Sequence, residues 1–232
     1  MSHITNIKYL IMCALIFTSL FSKAQDWANL KHYQLENASL EKPLKNEKRV
    51  VFMGNSITQG WKQINPEFFE KNPYICRGIS GQTTPQMLVR FKQDVVALQP
   101  CVVVILAGTN DIAGNTGPTT LEMIMDNISS MAEIASANKI KVVLCSVLPA
   151  YDYPWKKGME PNIKIPKLNE MIKVYCNLKG YTYLDYFSAM ADNQNAMIKE
   201  YTTDGVHCTA KGYEIMESLV QPAISKALKS KK

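Results

Sequence analysis

The chain has 232 residues, 47 % of them hydrophobic, and a formal net charge of +6. That length allows one substantial core, and four of the lysines sit in the last seven residues, KALKSKK, so the folded part is close to neutral. A nucleic-acid partner would need a basic stripe across a folded face, which a terminal cluster does not supply.

In chain order, residues 1–24 come first: Lys8 in a short polar start, an apolar run from Tyr9 to Phe21, then Ser22-Lys23-Ala24. This is the order of a secretory signal peptide cut after Ala24, and it predicts an exported protein, periplasmic or extracellular. A retained membrane anchor is the alternative, and the run is short of the ~20 residues that span a bilayer. Residues 25–232 then form one domain, with no stable membrane insertion once the leader is gone. Removing Lys8 and Lys23 lowers the charge to 24 minus 20, or +4. The five remaining cysteines, Cys76, Cys101, Cys145, Cys176 and Cys208, lack CxxC spacing and are odd in number, which argues against a disulfide framework or a zinc knuckle.

Residues 26–41 are expected to form a helix ahead of the first strand, with Trp27, Leu30 and Tyr33 on one side. Five apolar runs then read as strands: 49–54, 74–78, 101–108, 141–146 and 181–187. The middle ones are almost continuously apolar, as a sheet covered on both faces requires. Helical spacing marks 83–99, 119–138, 164–180 and 209–230, the last with Pro222 expected to kink it. Strands alternating with helices predict a parallel sheet in a three-layer α/β/α domain. The segment 147–162, VLPAYDYPWKKGMEPN, is too aromatic and proline-rich for a helix and long for a connection. Ligands of such sheets bind beyond the carboxyl ends of the strands, where this segment begins.

Ser56, in GNSITQG directly after the first strand, can be a helix cap, part of an anion-gripping loop or a nucleophile. A nucleophilic serine needs a general base. Of three histidines, His3 lies in the leader and His32 in the amphipathic N-terminal segment. His207 lies in YTTDGVHCTAKGY before the last helix, three residues after Asp204, where a carboxylate can fold back onto one ring nitrogen. Asp111, Asp152 and Asp185 are rival acids without that spacing. Asn110 in AGTND ends the third strand and can shape a turn or donate its amide. Gly81 in RGISGQTT can permit a bend or present an unobstructed N–H. Together Ser56 N–H, Gly81 N–H and the Asn110 amide would make an oxyanion hole.

These blocks, GNSIT, SG, GTND and DGVH in order over residues 49 to 228, resemble those of the SGNH or GDSL-type hydrolases. The resemblance implies a flavodoxin-like fold with a five-stranded parallel sheet and a Ser56-Asp204-His207 triad. It also implies oxyanion donors from Ser56, Gly81 and Asn110, and cleavage of esters or thioesters without a metal or other cofactor. Asn55 departs from the family's usual Asp; it can brace the turn as well as an Asp does but cannot take up a proton.

The expected substrate is a small-molecule or glycan ester. With no long apolar lid segment and with Trp61, Tyr151, Tyr153 and Trp155 expected at the cleft rim, short acyl groups, above all acetyl on carbohydrates, are the first expectation. Lysophospholipase, platelet-activating-factor-acetylhydrolase-like or thioesterase activity is the alternative, and a non-catalytic glycan-binding protein is a third.

Overall fold

The computed structural model describes residues 26–230, so the proposed leader lies outside the described residues. Five strands, β1 (Val50–Gly54), β2 (Tyr74–Gly78), β3 (Val102–Leu106), β4 (Lys141–Cys145) and β5 (Thr182–Leu184), form one sheet in the order β2-β1-β3-β4-β5, with every pair parallel. β1 and β3 are buried at every position, which accounts for their unbroken apolar sequence. This is the flavodoxin-like strand order, with its switch point between β1 and β3.

Helices cover both faces. α1 (Gln34–Ser39) precedes the sheet; α2 (Ser56–Ile64) and α3 (Pro66–Glu70) follow β1; α4 (Thr84–Asp94) follows β2; α5 (Thr109–Ile112) and α6 (Leu121–Ala137) follow β3. α7 (Pro161–Lys179) follows β4, and α8 (Phe187–Met190) and α9 (Ala210–Lys229) follow β5. One core joins Val51, Met53, Val103 and Ile105 to Met87, Phe91, Ile128 and Leu168. The opposite core joins Phe52, Val104 and Val143 to Trp61, Tyr213, Met216 and Ile224. Such alternation along a strand is the period of two that a doubly covered sheet demands.

Two expectations need correction. The segment 26–41 begins in turns and is helical only over α1, because the Asp26 carboxylate accepts the N–H groups of Leu30 and Lys31 and closes a turn instead. α7 begins at Pro161, three residues earlier than periodicity suggests, with proline in the first turn where its missing N–H costs nothing. Among the described residues the cysteines are free thiols, Cys76, Cys145, Cys176 and Cys208 being buried.

Candidate active site

Ser56 opens α2 directly beyond β1. Asn55 caps that helix, its Oδ1 accepting the Ile57 N–H at 3.0 Å, so the residue shapes the turn, as an aspartate in its place would. α2 sits very close to the strand ends: a Cβ on Gly78 would lie 2.3 Å from Gln59 N, and one on Gly54 would lie 2.0 Å from Thr58 Oγ1. From the far side of the helix Tyr213 Oη donates to Ile57 O at 2.8 Å, tying α2 to α9.

His207 reaches the serine from the loop before α9. Gly205, at φ +91°, turns that loop, while Thr202 Oγ1 and Thr203 N–H both donate to His207 O. The ring places Nε2 3.0 Å from Ser56 Oγ and Nδ1 2.7 Å from Asp204 Oδ2. Asp204 Oδ1 accepts the N–H groups of Val206 and His207 at 2.9 and 2.8 Å. Burial pushes the Asp204 carboxyl up, but the hydrogen bonds from the His207 N–H, its ring and the Val206 N–H outweigh it and leave the group below its ordinary range. An ionised Asp204 accepts from Nδ1–H, which leaves the Nε2 lone pair facing the serine hydroxyl. The rival acids are engaged elsewhere: Asp111 with the Thr84 N–H and hydroxyl, Asp152 with the N–H groups of Tyr153 and Gly158, Asp185 with Ser188.

The three groups expected as oxyanion donors follow β1, β2 and β3. Among the described residues no acceptor takes the N–H of Ser56 or of Gly81. Gly81 has φ +76° and open space where a side chain would stand. Asn110, buried at the start of α5, donates one Nδ2 hydrogen to Gln82 O at 2.9 Å, which fixes the amide and leaves its second hydrogen free.

The aromatic residues divide. Trp155 is 45 % exposed, with its ring 6.0 Å from that of His207. Tyr153, expected at the rim, is 0 % exposed: it stacks on Trp155 at 5.1 Å, and its hydroxyl pairs with Thr109 Oγ1 at 3.0 Å, so it supports Trp155 from behind. Trp61 is corrected outright, being 1 % exposed, stacked between Phe68 and Tyr213, and donating Nε1 to Glu217. Tyr151 is exposed.

A cleft of about 400 Å³ adjoins the serine and histidine, lined by Gln59, Gln63, Ser80 and Thr203. None of these four stood out from the sequence. Gln59 and Gln63 lie one turn apart on α2, a periodic signal that could have put them on one face with Ser56.

The GDSL-like Lipase/Acylhydrolase family model matches residues 52–215. A candidate acylhydrolase from Bacteroides fragilis is 50 % identical, with a TM-score of 0.87 over 89 % of this chain and 100 % of that one. A GDSL-like lipase from Bacteroides thetaiotaomicron is 51 % identical, with a TM-score of 0.85 over 86 % of this chain and 98 % of the other. The human isoamyl acetate-hydrolyzing esterase 1 homolog is 28 % identical over 208 residues, covering 78 % of this chain and 83 % of its own. With a matched segment running from within β1 into α9, the chain belongs to the GDSL-like lipase/acylhydrolase family, and its chemistry is ester hydrolysis.

Proposed function

We propose that the protein is an exported serine esterase that removes short acyl groups, above all acetyl, from carbohydrate alcohols. His207 Nε2 takes the Ser56 proton as Oγ attacks the ester carbonyl, and Asp204 stabilises the imidazolium that results. The tetrahedral oxyanion is met by the N–H groups of Ser56 and Gly81 and the Asn110 amide. Collapse returns the proton from Nε2 to the departing alcohol and leaves an acyl-Ser56, which water then cleaves with His207 again as base. No step calls for a metal.

The observation that carries the choice of alcohol is the cleft of mixed polar and apolar lining beside Ser56, where side-chain amides and hydroxyls of Gln59, Gln63, Ser80 and Thr203 offer partners to a hydroxyl-rich leaving group and Ile64 adds an apolar edge. The exposed face of Trp155 beside His207 adds an apolar surface suited to a sugar ring. The acetate ester named for the human relative supports a short acyl group.

A second reading, a lipid or lysophospholipid esterase, is favoured by a hollow of about 450 Å³ bounded by Ile112, Pro118, Leu121, Ile124 and Met159, which reaches Asp111 beside the oxyanion loop. Rates on acetyl, butyryl and octanoyl esters of one alcohol separate the two. The proposal expects kcat/KM to fall as the chain lengthens, since a methylene that fits adds only ~0.8 kcal/mol while one that does not costs ~1–3 kcal/mol. A preference for octanoyl would turn the assignment to the lipid esterase.

A further inference from the structure

Behind the candidate site lies a side-chain cluster that the proposed chemistry does not use. Arg90 on α4 and Asp94 one turn later form an ion pair at 3.0 Å with their side chains 0 % and 1 % exposed. A dry pair of this kind contributes little or nothing to stability compared with apolar residues of the same volume. Its geometry is therefore informative. Asp94 takes only one edge of the guanidinium, through Nη1. Nε donates to Gln82 Oε1 at 2.6 Å, and Nη2 donates to Gly54 O at 3.1 Å and to Arg77 O at 2.8 Å.

Each of these acceptors leads to one oxyanion donor. Gly54 ends β1, two residues before Ser56. Arg77 stands next to the end of β2, from which the chain runs to Gly81. Gln82 follows Gly81, and its own carbonyl receives the Asn110 amide. The other end of the Gln82 side chain donates to Ala28 O at 2.8 Å, so the residue is anchored on both sides.

We infer that Arg90 is a positioning residue for the oxyanion hole, its guanidinium setting the mutual spacing of the Ser56, Gly81 and Asn110 donors, with Gln82 as the relay to Asn110. The inference rests on the serine-esterase reading above. A planar guanidinium presents its donors in a fixed fork, which a lysine ammonium cannot reproduce toward the same acceptors. Donors displaced by about 1 Å lose roughly 100-fold in rate even when every group is present.

The test uses Arg90→Lys and Gln82→Met, the second leaving the Arg90–Asp94 pair in place. For each, kcat and KM on p-nitrophenyl acetate are measured per active site titrated with a fluorophosphonate, along with Tm and inhibition by a trifluoromethyl ketone, whose serine adduct carries an oxyanion. Both variants should lose about 10- to 100-fold in kcat and a comparable factor in ketone affinity. KM should stay within about threefold, because ground-state binding is not what is lost. A fall in Tm with kcat per titrated site and ketone affinity unchanged would overturn the inference, and so would failure of both variants to fold, which would make the cluster a packing element. Wild-type protein that neither hydrolyses the ester nor takes the label would overturn the esterase reading itself, and the inference with it.

Discussion

Asp204 serves two partners at once: Oδ1 holds the backbone of its own loop through two N–H groups, and Oδ2 holds the imidazole. In the proposed mechanism, replacing it with Asn removes the charge that stabilises the imidazolium, and by comparison with the serine-protease triad should lower kcat about 10⁴-fold. Asn55→Asp should stay within a few-fold, because the cap uses only the oxygen that both residues share. Measuring kcat/KM for both variants checks this division of roles, and equal losses would contradict it. Since the folded carboxyl of Asp204 lies below its ordinary value, its contribution to stability is full above the unfolded pKa near 3.9 and disappears as pH falls through the lower folded value. Denaturation midpoints of wild type and Asp204→Asn should therefore converge as the buffer is taken from pH 5 to below pH 3, by a modest amount for a group this open to solvent. Asn110→Ala should cost about 100- to 1000-fold in kcat, ~2.7–4 kcal/mol, with little change in KM; a raised KM at unchanged kcat would move Asn110 to substrate recognition. Most of these residues were legible in the sequence because each follows a strand or precedes the last helix, where the parallel topology gathers loops. Trp61 and Tyr153 were misread because residue type says nothing of direction: Trp61 falls four residues after Ile57, on the buried face of α2. Arg90 was missed for the opposite reason, since a cation in a helical pattern normally marks a solvated face.

The relation of α2 to the strand ends decides where the serine stands, and it depends on the absence of two side chains. A Cβ on Gly78 would meet Gln59 N at 2.3 Å, Asn55 O at 2.8 Å and Thr58 C at 2.8 Å, all backbone atoms that cannot swing aside. Gly78→Ala therefore requires α2 to shift as a body, at a cost of roughly 1–3 kcal/mol, or about 3–10 °C in Tm for a domain of this size. Because Ser56 is the first residue of that helix, kcat should fall even at temperatures where the variant is fully folded. Thermal unfolding and kcat at 20 °C check both parts, and wild-type activity in a destabilised variant would uncouple the helix position from the chemistry. The strands were read to within a few residues because both faces of β1 and β3 are covered and their sequences stay apolar throughout. The first helix was overread: Trp27, Leu30 and Tyr33 have helical spacing, yet only Tyr33 is buried, its hydroxyl donating to Gly78 O and its ring lying under the Arg77 guanidinium. Periodicity alone cannot tell a helix from a turn stabilised by a local carboxylate.

Across the whole molecule, the doubly wound order brings the carboxyl ends of β1, β2 and β3 to one edge of the sheet, where the loop before α9 carries His207 onto Ser56 from 151 residues away and Asn110 meets the carbonyl of Gln82. What that convergence does not encode is the alcohol partner, because the cleft beside Ser56 is built from side chains scattered over α2 and the loops around it. Trp155 offers the sharpest test of it. Its exposed ring stands beside His207 and is held there by the Tyr153 stack and the Tyr153–Thr109 hydrogen bond, so it is a fixed surface that a sugar can cover without ordering cost. Covering about 50 Å² of ring at ~25 cal/mol per Å² is worth roughly 1.3 kcal/mol, or about tenfold. Trp155→Ala should accordingly lower kcat/KM on an acetylated oligosaccharide by about tenfold while leaving p-nitrophenyl acetate, which carries no sugar, within about twofold. The competing account is that the indole keeps the imidazole in place, and it predicts equal losses on both substrates, since both need the same base. Parallel kcat/KM measurements on the two acetyl esters separate these outcomes. Selective loss on the oligosaccharide assigns the ring to the alcohol, and equal loss assigns it to His207 and removes one of the two supports for a carbohydrate substrate.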